Sequence, residues 1–332
     1  MKLYTKQGWV NWGYIDSLGG IFNMVIGARG VGKTYGLFKY LIEHGKPFVY
    51  LRRLQTQLDM CGTESGNPFR KIASDLQIEI KPDRAGKLIE FKRDEDNIIA
   101  LGCSLSTLAT VRGFDFSGYD YIVFDECVPM IGEKPIKDEF NSFLNFYETV
   151  NRNRELSGES AVKCLMLGNA NQLVNPYFVG WGFMRKAVKM IRSGEMIYRS
   201  RDKTRSIILL LHSPISEKKK GTALYQNAGN DFIQMAIDNA FRTDETKIAS
   251  KPLKEYKHIV SVGEIGIYKH KSTGEYYISS VTQTPKYEGY GMPLKLFQND
   301  FGFLKSVYLI KQNFVFESYE NEIMFREYFK LN

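Results

Sequence analysis

Cysteine is scarce and scattered in this chain. Its four residues, Cys61, Cys103, Cys127 and Cys164, form no C-x-x-C pair, which argues against a zinc site or a disulfide framework and suits a reducing cytosol. Long apolar runs are also missing: none approaches membrane-spanning length, and the N-terminal stretch lacks the apolar core of a signal peptide. A soluble, intracellular protein with no membrane partner is therefore expected. Nor is charge concentrated anywhere. The formal net charge of +8 is spread along the chain, so it suggests an anionic partner but is weak evidence for nucleic acid by itself. What is present is enough apolar residue, 43% of 332, to build packed cores in two domains.

Against this background Gly27-Ala28-Arg29-Gly30-Val31-Gly32-Lys33-Thr34 stands out. It fits G-x-x-x-x-G-K-[ST], a loop that wraps nucleoside triphosphate phosphates. The apolar run Ile21 to Ile26 before it reads as a buried parallel strand, and Tyr35 to His44 after it carries apolar residues at helical spacing. The glycines let backbone N–H groups converge on phosphate oxygens, and the positive end of the following helix faces the same anion. Lys33 would reach the β and γ phosphates of ATP, and the Thr34 hydroxyl would ligate Mg²⁺. Arg29 has three open readings: a phosphate contact, a pair with a neighbouring subunit's acid, or a solvated side chain. The alternative for the whole stretch is a glycine-rich surface loop.

A second element is needed, and Tyr119-Asp120-Tyr121-Ile122-Val123-Phe124-Asp125-Glu126 supplies it: an apolar strand ending in two carboxylates. Asp125 would support Mg²⁺ and Glu126 would polarise the attacking water. A turn or helix cap could also carry adjacent acids. A glutamate beside the metal-binding aspartate favours hydrolysis by water over a small-molecule kinase, which needs a bound acceptor more than an adjacent base.

Other strands follow. Pro47 to Leu51 ends on Arg52-Arg53, placed to approach the nucleotide or a subunit boundary, with solvated arginines as the alternative. Leu88 to Phe91 and Ile98 to Leu101 read as a hairpin that packs as a small lid. Phe140 to Val150 reads as a helix followed by Asn151-Arg152-Asn153-Arg154-Glu155. Arg152 and Arg154 are candidates for an arginine acting in trans on the γ-phosphate, although spacing alone favours basic residues offsetting a helix dipole. Lys163 to Leu167 is a strand whose tip carries Asn169, either a γ-phosphate sensor or an ordinary turn residue. Asn175-Pro176-Tyr177-Phe178 begins a turn, and Ile207 to Leu211 is the last strand of the first domain.

The remainder changes character. Ser213 to Thr222 is short, charged and turn-rich, a linker whose Lys218 to Lys220 either touch DNA phosphates or form a solvated hinge. Asp231 to Phe241 reads as a short amphipathic helix. His258 to Val262, Ile265 to Lys269 and Glu275 to Ser280 read as a meander of strands, with Ser272-Thr273-Gly274 as a turn, and Glu320 to Lys330 as a terminal helix. No sequence-reading helix is evident.

Taken in order, Phe22 to Tyr35, Tyr50-Leu51-Arg52-Arg53, Ile122 to Glu126, Arg152 to Glu155, Gly168-Asn169-Ala170 and Val174 to Phe178 resemble the genome-packaging ATPases of phi29-type small tailed bacteriophages, over roughly the first two thirds of the chain. The resemblance implies an α/β fold: a P-loop NTPase core of the additional-strand, catalytic-glutamate class, then a small linker subdomain and a mostly β, ribonuclease-H-like C-terminal domain. The corresponding divisions are 1–212, 213–250 and 251–332. It implies an ATPase that translocates double-stranded DNA into a prohead, assembled as a ring of five subunits at the portal vertex in the host cytoplasm, with a structural prohead RNA as a further candidate partner. Lys33, Thr34, Asp125 and Glu126 carry the site, and the resemblance makes Arg152 the preferred trans-acting finger, with Arg53 and Arg154 as second arginine contacts. Related large packaging proteins carry a nuclease in the C-terminal region, which needs converging carboxylates for two metals. Glu264 and Glu275 are isolated in the sequence and read as surface residues, so a nuclease-inactive version is expected. The rival readings are a P-loop kinase, which would consume ATP only with a small acceptor, another nucleic-acid-dependent ATPase such as a helicase, and a non-catalytic scaffold, which would tolerate Glu126→Gln.

Overall fold

A computed structural model describes residues 2–95, 97–110, 113–129, 133, 136–169, 175–211, 213–219, 222–223, 249–311 and 313–331. The chain divides into two compact units: one of Met1–Lys137, Ser142–Gln172 and Met190–Phe241, the other of Asp138–Asn141, Leu173–Lys189 and Arg242–Asn332. The expected first segment, 1–212, thus lends two stretches to the second unit. The final crossing at residue 242 falls inside the expected linker.

The first unit is built on a nine-stranded sheet. Its strands are β1 (Phe22–Gly27), β2 (Phe48–Arg52), β3 (Lys81–Ala85), β4 (Leu88–Asp94), β5 (Asn97–Ser104), β6 (Tyr121–Phe124), β7 (Lys163–Asn169), β8 (Ile197–Arg199) and β9 (Arg205–Leu210), in the order β3-β4-β5-β2-β6-β7-β1-β9-β8. From β5 to β9 the neighbours are parallel. Such strands are covered on both faces, which is why they are continuously apolar: Met24, Val25, Ile122, Val123, Leu165, Met166, Ile207 and Ile208 are all buried. Helix Lys33–Glu43 seats Leu37, Phe38 and Leu41 in the core, where Phe38 meets Phe48 at 5.4 Å and Phe69 at 4.7 Å between ring centroids. β7 lies between β1 and β6, so the strand feeding the glycine-rich loop and the strand ending in Asp125 are not direct neighbours.

Three expectations are corrected here. β4 and β5 form the hairpin but no lid: β5 pairs in parallel with β2, Leu51 opposite Cys103, and buries Ala100, Leu101 and Cys103 as part of the main sheet. Asn175 opens a helix rather than a turn, because its side chain accepts hydrogen bonds from the Tyr177 and Phe178 N–H groups and Pro176 suits the first helical position. The opening of the linker, Pro214–Lys219, is helical. The expected helix Asp231 to Phe241 lies outside the described residues.

The second unit holds a five-stranded sheet of β10 (Tyr256–Val262), β11 (Ile265–His270), β12 (Tyr276–Ser279), β13 (Lys286–Tyr287) and β14 (Phe314–Phe316), in the order β13-β10-β11-β12-β14. The first three form the expected antiparallel meander, while β13 runs parallel to β10 and β14 parallel to β12. The terminal helix, Tyr319–Tyr328, buries Met324, Phe325 and Tyr328.

Candidate functional site

At the carboxyl end of β1 the chain turns through Gly30 (φ 69°) and Gly32 (φ 86°) into helix Lys33–Glu43. Both lie in the left-handed region that favours glycine. Lys33 is 8% exposed. Its Nζ donates to the carbonyls of Gly27 at 2.8 Å and Ala28 at 2.7 Å and to Asn169 Oδ1 at 3.1 Å. Burial pulls its pKa down to about 8, against the attraction of Asp125. The strand-tip asparagine singled out in the sequence is therefore in contact with the loop lysine.

Next to it, Thr34 Oγ1 donates to Asp125 Oδ1 at 2.8 Å. Register explains the rest: Phe124 at the end of β6 faces Leu51 on β2, so the next residues, Asp125 and Arg52, meet. The Arg52 guanidinium donates to Asp125 Oδ2 at 2.9 Å and to Glu126 Oε2 at 2.6 Å. Asp125 is buried, which raises its carboxyl pKa even though the Arg52 charge and the Thr34 hydroxyl oppose the rise. Glu126 sits at φ 52° with half its side chain exposed. A hydroxyl and a carboxylate oxygen in contact are the hard donors that a magnesium ion takes from protein when phosphate and water fill its other positions. Among the described residues no group of three or more His, Cys, Asp or Glu is placed to hold a metal.

Of the other candidate arginines, two are engaged within the chain and two are exposed. Arg53 is fully buried and paired with Glu133 at 2.8 Å. It lies just beyond the end of β2, where its partner differs from those of Arg52. Arg154 is spent on the loop before β6, donating to Asp120 at 2.7 Å and to the carbonyls of Ser117 and Tyr119. Arg152, at φ 47°, is exposed and donates to the Phe114 carbonyl at 2.6 Å. The Arg29 side chain is exposed, and its carbonyl accepts from Lys219 Nζ. Sequence reasoning read Lys219 only within the run Lys218 to Lys220, as a DNA contact or a solvated hinge, and did not single out Trp9, whose half-exposed indole lies against Gly32.

In the second unit Glu264 and Glu275 are not surface residues. Glu264 is largely buried beside Arg185, 3.7 Å away, and burial raises its pKa. Glu275 accepts from the Tyr256 hydroxyl at 2.6 Å.

The family model described as podovirus DNA encapsidation protein (Gp16) matches residues 5–298. The DNA packaging protein of Bacillus phage phi29 is 27% identical over 279 residues, covering 78% of this chain and 75% of that protein. Its counterpart in Bacillus phage B103 is 28% identical over 261 residues, covering 76% and 73%. Two solved structures share the fold across 99% of both chains: the viral genome packaging motor assembly of bacteriophage phi29, with TM-score 0.62 and 21% identity, and the Phi-28 gp11 DNA packaging motor, with TM-score 0.62 and 20% identity.

Proposed function

This chain belongs to the podovirus DNA encapsidation protein (Gp16) family, and from that premise we propose that it is the ATP-hydrolysing subunit of a ring that drives double-stranded DNA into a prohead. The carrying observation is the connected set Asn169–Lys33 and Thr34–Asp125–Arg52–Glu126 at the carboxyl end of the parallel strands. The position of β7 between β1 and β6 supports a P-loop core of the additional-strand class. In the second unit the β10–β12 meander with β13 parallel to β10 accords with a degenerate ribonuclease-H-like sheet, and β14 beside β12 departs from it. In this reading 1–212 is the ATPase segment, 213–250 the linker and 251–332 the nuclease-like remnant, without nuclease activity.

Gly27 to Thr34 offer backbone N–H groups to the phosphates, and Lys33 exchanges its carbonyl partners for phosphate oxygens. Thr34 and Asp125 hold Mg²⁺. When bound, the magnesium nucleotide supplies the phosphoanhydride whose cleavage drives the cycle. Glu126 takes the proton of the attacking water, its carboxylate oriented by the Arg52 hydrogen bond to Oε2. Arg152 of an adjacent subunit neutralises charge growing on the terminal phosphate, and Asn169 senses that phosphate through its contact with Lys33. The ring, of five subunits, works at the portal vertex in the host cytoplasm, with prohead RNA as a further partner. DNA contacts are to phosphates, hence sequence-tolerant and salt-sensitive.

The test is steady-state ATP hydrolysis by wild type, Glu126→Gln and Arg152→Ala, with and without duplex DNA, and by an equimolar mixture of the two variants. Both variants should be inactive alone and the mixture should regain turnover. Wild-type turnover by Arg152→Ala alone would remove the finger and return Arg152 to a helix-end role.

A further inference from the structure

Helix Pro214–Lys219 is held in place where the linker begins. Ser213, Ile215 and Ser216 are buried, the Tyr4 hydroxyl donates to the Leu211 carbonyl at 3.0 Å, and a Cβ on Gly8 would lie 2.8 Å from the Pro214 ring. Its last residue therefore arrives at a defined place. That place is the glycine-rich loop: Lys219 Nζ donates to the Arg29 carbonyl at 2.8 Å and fills the space a side chain at Gly30 would need.

Two ammonium groups thus bracket one loop, Lys33 on the carbonyls of Gly27 and Ala28 and Lys219 on that of Arg29. Their mutual repulsion adds to the burial that lowers the Lys33 pKa, and burial lowers that of Lys219 as well. An ammonium has three donors; among the described residues, the Arg29 carbonyl accepts one from Lys219. Asp125 offsets part of the Lys33 charge, and a phosphate chain at the loop would accept from both ammonium groups where carbonyls now do.

Resting on the reading of this loop as the nucleotide site, we propose that Lys219 is a second phosphate-binding lysine. It is supplied from the same chain by the linker helix, and it leaves the Arg29 carbonyl to contact the phosphate chain of a bound nucleoside triphosphate. Nucleotide occupancy then sets the position of the linker helix, without help from a neighbouring subunit.

The experiment titrates full-length wild type, Lys219→Gln, Lys219→Arg and Lys33→Ala with fluorescent N-methylanthraniloyl ATP, with a melting curve for each variant. Glutamine can still donate to the Arg29 carbonyl but carries no charge. Lys219→Gln should weaken binding by about tenfold or more at an unchanged melting temperature, and Lys219→Arg should restore it to within about threefold. Binding by Lys219→Gln within about twofold of wild type, while Lys33→Ala has lost it, would make Lys219 a structural staple and overturn the inference. If Lys33→Ala also binds normally, the loop is not the nucleotide site and the proposed function itself fails.

Discussion

Both sheets of this molecule carry carboxylates at or near their strand ends, and the two sets are used in opposite ways. In the first sheet Asp125 and Glu126 converge with Arg52, Thr34, Lys33 and Asn169 from three other segments, and Glu126 keeps half its surface open. In the second, the acids named do not converge: Glu264 pairs with Arg185, Glu275 with the Tyr256 hydroxyl, and Glu317 with Ser279 and Ser280. Number of acids does not separate the two regions. Convergence does, and in the first sheet it follows from parallel strands delivering several chain segments to one edge.

The comparison breaks most visibly at Glu126. Under the proposed function, Glu126→Gln lowers ATP turnover by about 10²–10⁴-fold while the chain still binds nucleotide; turnover within tenfold of wild type would place the base elsewhere. Arg52→Ala probes the same cluster through stability. Its side chain and that of Asp125 are 11% and 9% exposed, so removing the cation leaves a buried carboxylate only partly offset, by the Thr34 hydroxyl and the Lys33 charge, at about 3–5 kcal/mol in urea denaturation. A loss below 1 kcal/mol would mean that Asp125 is relieved by protonation or solvent.

Lys33 sharpens the contrast through pH. Its native pKa, about 8, lies below the ordinary lysine value of 10.5, so between these values the unfolded chain holds a proton that the native protein has released. Stability of the nucleotide-free protein from this group therefore rises with pH across that window, by at most about 1.4 kcal/mol per pH unit. The difference in stability between wild type and Lys33→Met should show that rise; a flat difference would refute it. The smallest effect belongs to the second sheet. Glu317→Ala strips acceptors from Ser279 and Ser280, costing about 1–3 kcal/mol with turnover within about twofold of wild type. Burial pushes the Glu317 pKa up, but the hydrogen bonds from Ser280, Ser279 and Asn321 outweigh it and hold the carboxyl below its ordinary range. That stability is present above the ordinary glutamate pKa and is lost as pH falls through the lowered one, so the gap between wild type and variant should close in acid. A gap that widens there would assign the hydrogen bonds the wrong sign.

Much of this site was legible in the chain. The Gly27 to Thr34 string and the apolar run into Asp125-Glu126 each carry their own local geometry, and the structure brings Thr34 of the one against Asp125 of the other. The arginines were less legible because each is decided by a partner remote in sequence. Arg52 and Arg53 look equivalent until β2 is set beside β6, and Arg154 looks like a helix-end charge until Asp120 is seen beneath it. The hairpin of β4 and β5 was readable as a pair, but its role as sheet edge depends on β2, forty residues earlier. β3, with Lys81-Pro82-Asp83-Arg84-Ala85, and the three-residue β14 have no periodicity to read.

β7 gives the site a mechanical address. Asn169, its last residue, touches Lys33, and Asn175, six residues further along the chain, caps the helix Pro176–Gly180 of the second unit. The strand that ends on the loop lysine's partner is thus followed, within six residues, by chain that belongs to the second unit.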